Sequence, residues 1–501
     1  MDWTATHKML VATLLATSYT LNAPSLLRST PRNTPIYACA PPPEIERFHD
    51  WLKANGVTME KVRGERLPEF GLSLVAPDGC EEGDTLLTVP ALLHITPAKV
   101  KETAVGQAVD GVIPADDESA FLALGLLAEF SRGGDGPFWP YLDILPGADD
   151  MIGQPLLWSE DELAMHFSGS HLQSTIGAVK SGLIQQWQAI EERVVPNHPN
   201  VFPPEVFNLQ GYLYAHAIVL TRALPFGEEL SLIPFLDLAN HQKGASNTCS
   251  IGVAKSDGEG IAPVVDASQI KDLGAGEQVA AVLTASKPLA KGEQTFIDYG
   301  EAGWRSSWEM LYTYGFVPGS SPDEWCATGG RPIFFESGVE TSDPLINQKR
   351  AILVTLGAAE EALEGTWLDL QPRVDVAMSM APLLRLATLS DDGTEPLATD
   401  MANWKADPKQ VWSRLQTPLS DATEAKVAAR VLATCGAALE ELPPAEKLAP
   451  AAVDQSGDGV EAERARLAAR VLLGERAALE ACQSVWEKVA EKAEEAKEAA
   501  A

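Results

Sequence analysis

Cysteine is scarce in this chain: six among 501 residues, at Cys39, Cys80, Cys249, Cys326, Cys435 and Cys482, with no Cys-x-x-Cys pair and no Cys/His cluster. That spacing argues against a disulfide framework and against a metal site, zinc included, and it fits a reducing compartment. No run of apolar residues reaches the ~18–20 needed to cross a bilayer, so no membrane partner is expected. Basic residues are short as well, 38 Lys plus Arg against 70 Asp plus Glu, for a formal charge of -32. A field of that sign repels phosphate at long range and excludes a nucleic-acid partner. It draws in a cationic, lysine-bearing partner, although an acidic surface also serves plain solubility.

Acid is missing altogether from residues 4–43, where Lys8, Arg28 and Arg32 sit among Ser, Thr, Ala and Pro. This is the composition of an address rather than of a fold. A short apolar core, Met9-Leu-Val-Ala-Thr-Leu-Leu-Ala16, precedes an acid-free segment over 24–40, the order of a two-part plastid leader. Residues 1–43 are therefore expected to be a targeting leader, with the plastid stroma as destination; a single transit peptide or a disordered tail is the plainer alternative, and the mitochondrion the other destination.

What remains is globular, with 45% hydrophobic and 22% charged residues, and too long for one core. Ile45, Phe48, Trp51 and Leu52 recur at helical spacing, and Gly56 ends the pattern. The period then changes: 72–75 and 84–89, broken by Pro77-Asp-Gly79, Gly83 and Pro90, read as short strands. Helical patterns fill 118–130, 176–194 and 206–222. Strand patterns return over 231–236, 278–284 and 295–297, around a Gly/Asp-rich loop expected over 252–276. Beyond 330, the segments 345–363, 376–389, 408–415, 423–442 and 462–493 carry 3.6-residue periodicity, with a fraying end after Trp486.

Two motifs stand out in the second β-rich stretch, Phe235-Leu-Asp-Leu-Ala-Asn-His241 and Gly292-Glu-Gln-Thr-Phe-Ile-Asp-Tyr-Gly300, the latter followed by Tyr314-Gly-Phe316. Further upstream are Phe138-Trp-Pro-Tyr-Leu-Asp-Ile-Leu-Pro146, Leu157-Trp-Ser-Glu-Asp-Glu-Leu163 and Gly169-Ser-His-Leu-Gln-Ser-Thr175. In this order the segments resemble the plastid Rubisco large-subunit lysine methyltransferase family of SET-domain proteins, over about residues 48–486. The resemblance implies an α+β fold: a β-rich SET core (44–114 and 226–330) split by a helical insert (115–225), then an all-α substrate-binding domain (331–501). It implies S-adenosylmethionine as methyl donor and no metal. It also implies a lysine-bearing protein as substrate, non-histone and plastid, such as Rubisco large subunit or fructose-bisphosphate aldolase. Protein-histidine methylation, performed by a related branch, and a non-catalytic docking scaffold are the alternatives.

Each candidate residue has a plainer reading beside the implied one. Gly71, in Glu69-Phe70-Gly71-Leu72, is on its own a turn glycine; the resemblance has this backbone contact the cofactor, with Ser73 standing where relatives often carry a second glycine. Arg222 closes a helical pattern and can cap it, or clamp a carboxylate as the family implies. A second basic residue that relatives use near the substrate has no counterpart in 223–227. Asp237, Asn240 and His241 follow an apolar run and can form a structural turn; the resemblance assigns Asn240 and His241 to the cofactor and Asp237 to the neighbourhood of the substrate lysine. The aromatic residue relatives carry shortly after is not evident in 242–252. Tyr299 and Tyr314 can be ordinary half-buried tyrosines; by resemblance Tyr314 is catalytic, Tyr299 lines the lysine channel and Phe316 packs on the adenine side. The C-terminal segments 382–387 and 466–473 serve either as a docking surface or as helix packing.

Overall fold

The computed structural model describes residues 42–500, apart from 69, 228, 243–248, 257–260, 265–277, 300–304, 358–362, 391–394, 403–406, 455 and 458. The proposed leader lies almost wholly outside the described residues. The chain divides into two compact units, Met1–Met151 with Val179–Trp304, and Ile152–Ala178 with Arg305–Ala501. These units cut across the expected boundaries. Part of the anticipated insert and the Tyr-Gly-Phe segment belong with the C-terminal helices, because side chains from 152–175 bond to them at several points described below.

In the first unit, helix Pro43–Ala54 starts on a proline, carries Glu44 and Glu46 in its first turn and Lys53 in its last, and buries Ile45, Phe48 and Leu52. The proline presets the first turn and the charges complement the helix dipole. Strands Arg63–Leu67, Gly71–Ala76 and Glu293–Gln294 form one antiparallel sheet. Thr85–Pro90, Gln278–Ala285, Cys249–Ser256 and Ile261–Val264 form another. The last two of these, paired antiparallel, correct the expected loop over 252–276 at 252–256 and 261–264, which are strand; the rest of that expectation lies outside the described residues. The inserted helices include Glu118–Ser131, capped by Asp117, and Leu209–Arg222, capped by Asn208. Each cap side chain accepts from a backbone N–H of the first turn, at 3.0 Å and 2.9 Å.

The strand expected over 231–236 is not one strand. Leu224–Phe226 and Glu229–Ser231 make a small hairpin, and Leu236–Leu238 is a 3-10 turn. Between them Phe235 has φ 75, the one non-glycine positive φ among the described residues. Strain of that kind persists only where packing enforces it. Here the Phe235 ring is fully buried and meets Phe48 at 5.9 Å and His49 at 5.7 Å, both edge-on. His49 accepts the Gly64 N–H at 3.1 Å, and burial, then the charges of Lys53 and Arg63, lower its pKa to about 4, so the ring is a neutral acceptor.

Among the described residues the second unit is helical apart from the antiparallel pair Arg331–Glu336 and Gly365–Leu370, which the all-α expectation missed. Its axis is the 41-residue helix Val460–Ala500, which stays helical past Trp486. Glu475 on this helix is fully buried and is shared by Ser170, His171 (3.1 Å) and Arg331. Burial alone would raise its pKa; His171, Arg331 and Ser170 hold it below the ordinary carboxylate range. Arg385 and Glu424 form a buried fork, two bonds of 2.8 Å. The apolar residues of 382–387 and 466–473 that were candidates for docking, among them Leu384, Leu386, Leu467, Val471 and Leu472, are buried in the core.

Candidate functional site

The two motifs that are about fifty residues apart in sequence meet in the first unit. Asn240–His241 pairs in parallel with Phe296–Ile297, Asn240 opposite Phe296 and His241 opposite Ile297, and the Gln242 N–H continues the ladder to Ile297 O at 3.0 Å. The pairing draws Tyr299 onto His241: its backbone N–H donates to His241 Nδ1 at 3.1 Å and the two rings lie 5.2 Å apart. An Nδ1 that accepts leaves the neutral ring's proton on Nε2. The Asp298 carboxylate stands 3.8 Å from Nδ1. The Tyr299 hydroxyl donates to Ala239 O at 2.9 Å, tying the second motif back to the first.

Asn240 is anchored from the glycine side. Its Nδ2 donates to Ser73 Oγ at 2.7 Å, and Ser73, itself buried, sits 3.3 Å from the Gly71 carbonyl. The serine that departs from the family pattern thus holds the asparagine amide, a role that the sequence signalled only as a departure. Gly71 has φ +66, and nothing lies within 4 Å of the place a Cβ would take. Leu72 follows it into the strand, Phe70 is 48% exposed and meets Phe296 edge-on at 5.8 Å, and Glu69 lies outside the described residues.

Arg222 and Asp237 are brought together. Arg222, in the last turn of its helix, donates through NH1 to Asp237 Oδ2 at 3.1 Å. The Tyr141 hydroxyl donates to the same oxygen at 2.8 Å. Burial raises the Asp237 pKa, opposed by Arg222 and then by the Tyr141 hydrogen bond. For Arg222 burial acts downward, yet the charge of Asp237 carries it above its usual value. Burial, and then the Asp237 charge, push Tyr141 well above the phenol range. Tyr141 lies in a segment that carries the resemblance, but nothing in its sequence context pointed to this contact.

Tyr314 and Phe316 belong to the second unit. Tyr314 ends helix Ser307–Tyr314, which Gly315 terminates in the left-handed conformation at φ 79. Its ring lies 6.3 Å from that of Phe316 and 5.8 Å from the Arg305 guanidinium. Within this unit, buried Gln154 donates to Tyr312 O at 3.2 Å and Thr313 O at 3.3 Å, satisfying carbonyls that a helix end leaves open. Gly153 presses so closely that a Cβ there would stand 1.9 Å from Gly315 O. Gly153 and Gln154 were not singled out from sequence, since their partners are some 160 positions away.

A SET-type core followed by a helical substrate-binding domain is the class of protein these elements define. Residues 340–479 match the family model described as Rubisco LSMT substrate-binding. The chain is 28% identical over 403 residues, 79% of its length and 73% of the relative's, to the chloroplastic ribulose-1,5 bisphosphate carboxylase/oxygenase large subunit N-methyltransferase of Nicotiana tabacum. It is 27% identical over 320 residues, 61% of its length and 47% of the relative's, to the actin-histidine N-methyltransferase of Homo sapiens. The solved SET domain of LSMT bound to lysine and AdoHcy superposes with TM-score 0.70 at 22% identity, covering 90% of this chain and 93% of that one, which speaks for the fold. Residues 340–479 thus carry a Rubisco LSMT substrate-binding domain, the chain is similar in sequence to the tobacco methyltransferase, and its fold is that of the LSMT SET-domain structure.

Proposed function

We propose that the protein is an S-adenosylmethionine-dependent protein-lysine N-methyltransferase of the plastid stroma, acting on a non-histone protein such as Rubisco large subunit or fructose-bisphosphate aldolase. The observation that carries this reading is the parallel pairing of Asn240–His241 with Phe296–Ile297, which joins the proposed cofactor motif to Tyr299. The tobacco relative's name supports the substrate protein and the compartment, and the LSMT structure bound to lysine supports lysine as the acceptor. The residues present also suit the donor. Open space beside left-handed Gly71 admits a ligand to the backbone, exposed Phe70 offers an aromatic surface, and the Asn240 amide and His241 supply polar contacts.

S-adenosylmethionine, when bound, supplies a sulfonium methyl for in-line displacement by an amine. The task of this chain's residues is to hold that geometry and to deliver the amine neutral. A lysine amine with pKa of about 10.4 in water arrives protonated, and enclosure lowers that value by up to a few units. Alignment of two reactants is worth roughly 7–11 kcal/mol, so positioning carries most of the rate. Tyr299, whose hydroxyl proton is given to Ala239 O, keeps its oxygen as an acceptor for an ammonium N–H. His241, with Nδ1 engaged by the Tyr299 N–H, acts as an orienting contact rather than as a base. The family resemblance assigns Tyr314, in the second unit, the catalytic phenol, whose oxygen would favour a positively polarised methyl.

Incubating the purified chain with stromal extract and isotopically labelled donor, then locating label by mass spectrometry, tests the proposal. Label on a lysine side chain is expected. Label on histidine instead turns the reading to the activity named for the human relative, and no label at all removes the enzymatic reading.

A further inference from the structure

Three side chains that no sequence motif groups together meet inside the first unit. Tyr141, in helix Trp139–Leu142, is fully buried, its ring 6.2 Å from that of Phe48. Its hydroxyl and Arg222 NH1 converge on one oxygen, Asp237 Oδ2, at 2.8 Å and 3.1 Å. NH1 also approaches the Asp237 carbonyl at 3.4 Å. The Asp237 side chain is 0% exposed and that of Arg222 18%. We infer that Tyr141 is a positioning residue of the cofactor site: it fixes the Asp237 carboxylate so that Arg222 is held by one nitrogen only and keeps the rest of its fork for the carboxylate of the methyl donor. The inference rests on the proposed methyltransferase function.

The physical reason lies in how carboxylates and guanidinium groups pair. Left to themselves they form two parallel hydrogen bonds, fork on fork. Here the second carboxylate oxygen, Oδ1, is enclosed and has no hydrogen-bond partner among the described residues, while both side-chain donors crowd onto Oδ2. A buried carboxylate oxygen left without a donor is costly, so something must hold the group in this orientation. The Tyr141 hydroxyl does so. Remove the hydroxyl and Asp237 is free to rotate about its terminal torsion, present both oxygens to Arg222, and turn the guanidinium from the ligand onto itself. A guanidinium has five N–H donors, and the single-nitrogen contact leaves the others in reach of a second anion.

Calorimetric titration of S-adenosylmethionine into the full chain, the Tyr141→Phe variant and the Tyr212→Phe variant tests this. Tyr212 is a matched control: fully buried, on the helix that carries Arg222, its hydroxyl bonded to Gln186 Oε1 at 2.7 Å and not to Asp237. Tyr141→Phe is expected to weaken cofactor affinity by about tenfold, the value of one hydrogen bond to a charged group. Tyr212→Phe, with a similar fall in thermal midpoint, is expected to change affinity by less than about twofold. Unchanged affinity in Tyr141→Phe, or an equal loss in both variants, overturns the positioning role while leaving the methyltransferase reading intact. Failure of the unaltered chain to take up S-adenosylmethionine overturns both.

Discussion

Gly153→Ala is the sharpest perturbation of the Tyr314 end of the chain. Its Cβ would stand 1.9 Å from the Gly315 carbonyl oxygen, 2.9 Å from the Gly315 carbonyl carbon and 3.0 Å from Leu467 Cδ1. Relief requires a displacement of more than about 1 Å, and the group that must give is backbone, the Gly315–Phe316 peptide one residue past Tyr314. Gln154, which ties Tyr312 O and Thr313 O, would be pulled with it. Overpacking of this kind costs about 1–3 kcal/mol of stability, and misplacing a reacting group by about 1 Å costs on the order of 100-fold in rate. Single-turnover methyl transfer and thermal unfolding, run side by side, read both effects. Gly177→Ala is the control: it lies on helix His171–Arg193 with nothing within 4 Å of its added methyl, and is expected to be neutral or slightly stabilising. Gly153→Ala with unaltered turnover and unaltered midpoint would refute the claim that this glycine sets the position of Tyr314.

Tyr314→Phe should abolish most methyl transfer while S-adenosylmethionine still binds; near-normal turnover would remove Tyr314 from the chemistry. Ser73→Ala takes away the acceptor of the Asn240 amide and should weaken cofactor affinity about fivefold, read by calorimetry, with equal affinity contradicting the anchor. Asp369, in the second unit, accepts from Trp308 Nε1 at 3.3 Å, and burial, then the charge of Glu309, raise its pKa to about 7. Because the folded value lies above the unfolded one, the stability Asp369 contributes is full below about pH 4 and is lost as pH rises through about 7. Asp369→Asn should therefore leave the thermal midpoint unchanged near pH 4 and raise it by a few degrees at pH 8; an equal effect at both pH values would contradict the assigned shift.

Much of the site was legible because its motifs are local. The short strand Asn240–His241 and its partner Phe296–Ile297 fall within stretches that sequence singles out. Helices Glu118–Ser131, Leu209–Arg222, Pro408–Leu415 and Asp421–Glu441 lie within a few residues of their expected limits, whereas the pattern over 345–363 gives the shorter helix Ile346–Thr355 and that over 376–389 gives two, Val374–Met378 and Ala381–Thr388. What escaped was non-local. The Arg331–Glu336 and Gly365–Leu370 hairpin sits among helical segments, with its strands about thirty residues apart. The bend at Phe235 interrupts an apolar run that reads as one strand, and the rings that pack against it there, Phe48 and His49, stand nearly two hundred residues upstream. Ser73, Tyr141 and Gln154 act through partners between 96 and 167 positions away, and no spacing rule reaches so far.

The most direct test of the central claim is photochemical cross-linking of radiolabelled S-adenosylmethionine to the full chain, followed by peptide mapping. The account predicts label in the peptides that contain residues 235–241 or 292–299, suppressed by excess S-adenosylhomocysteine and by Asn240→Ala. Label confined to other peptides, or label that the competitor and the variant leave unchanged, would contradict it.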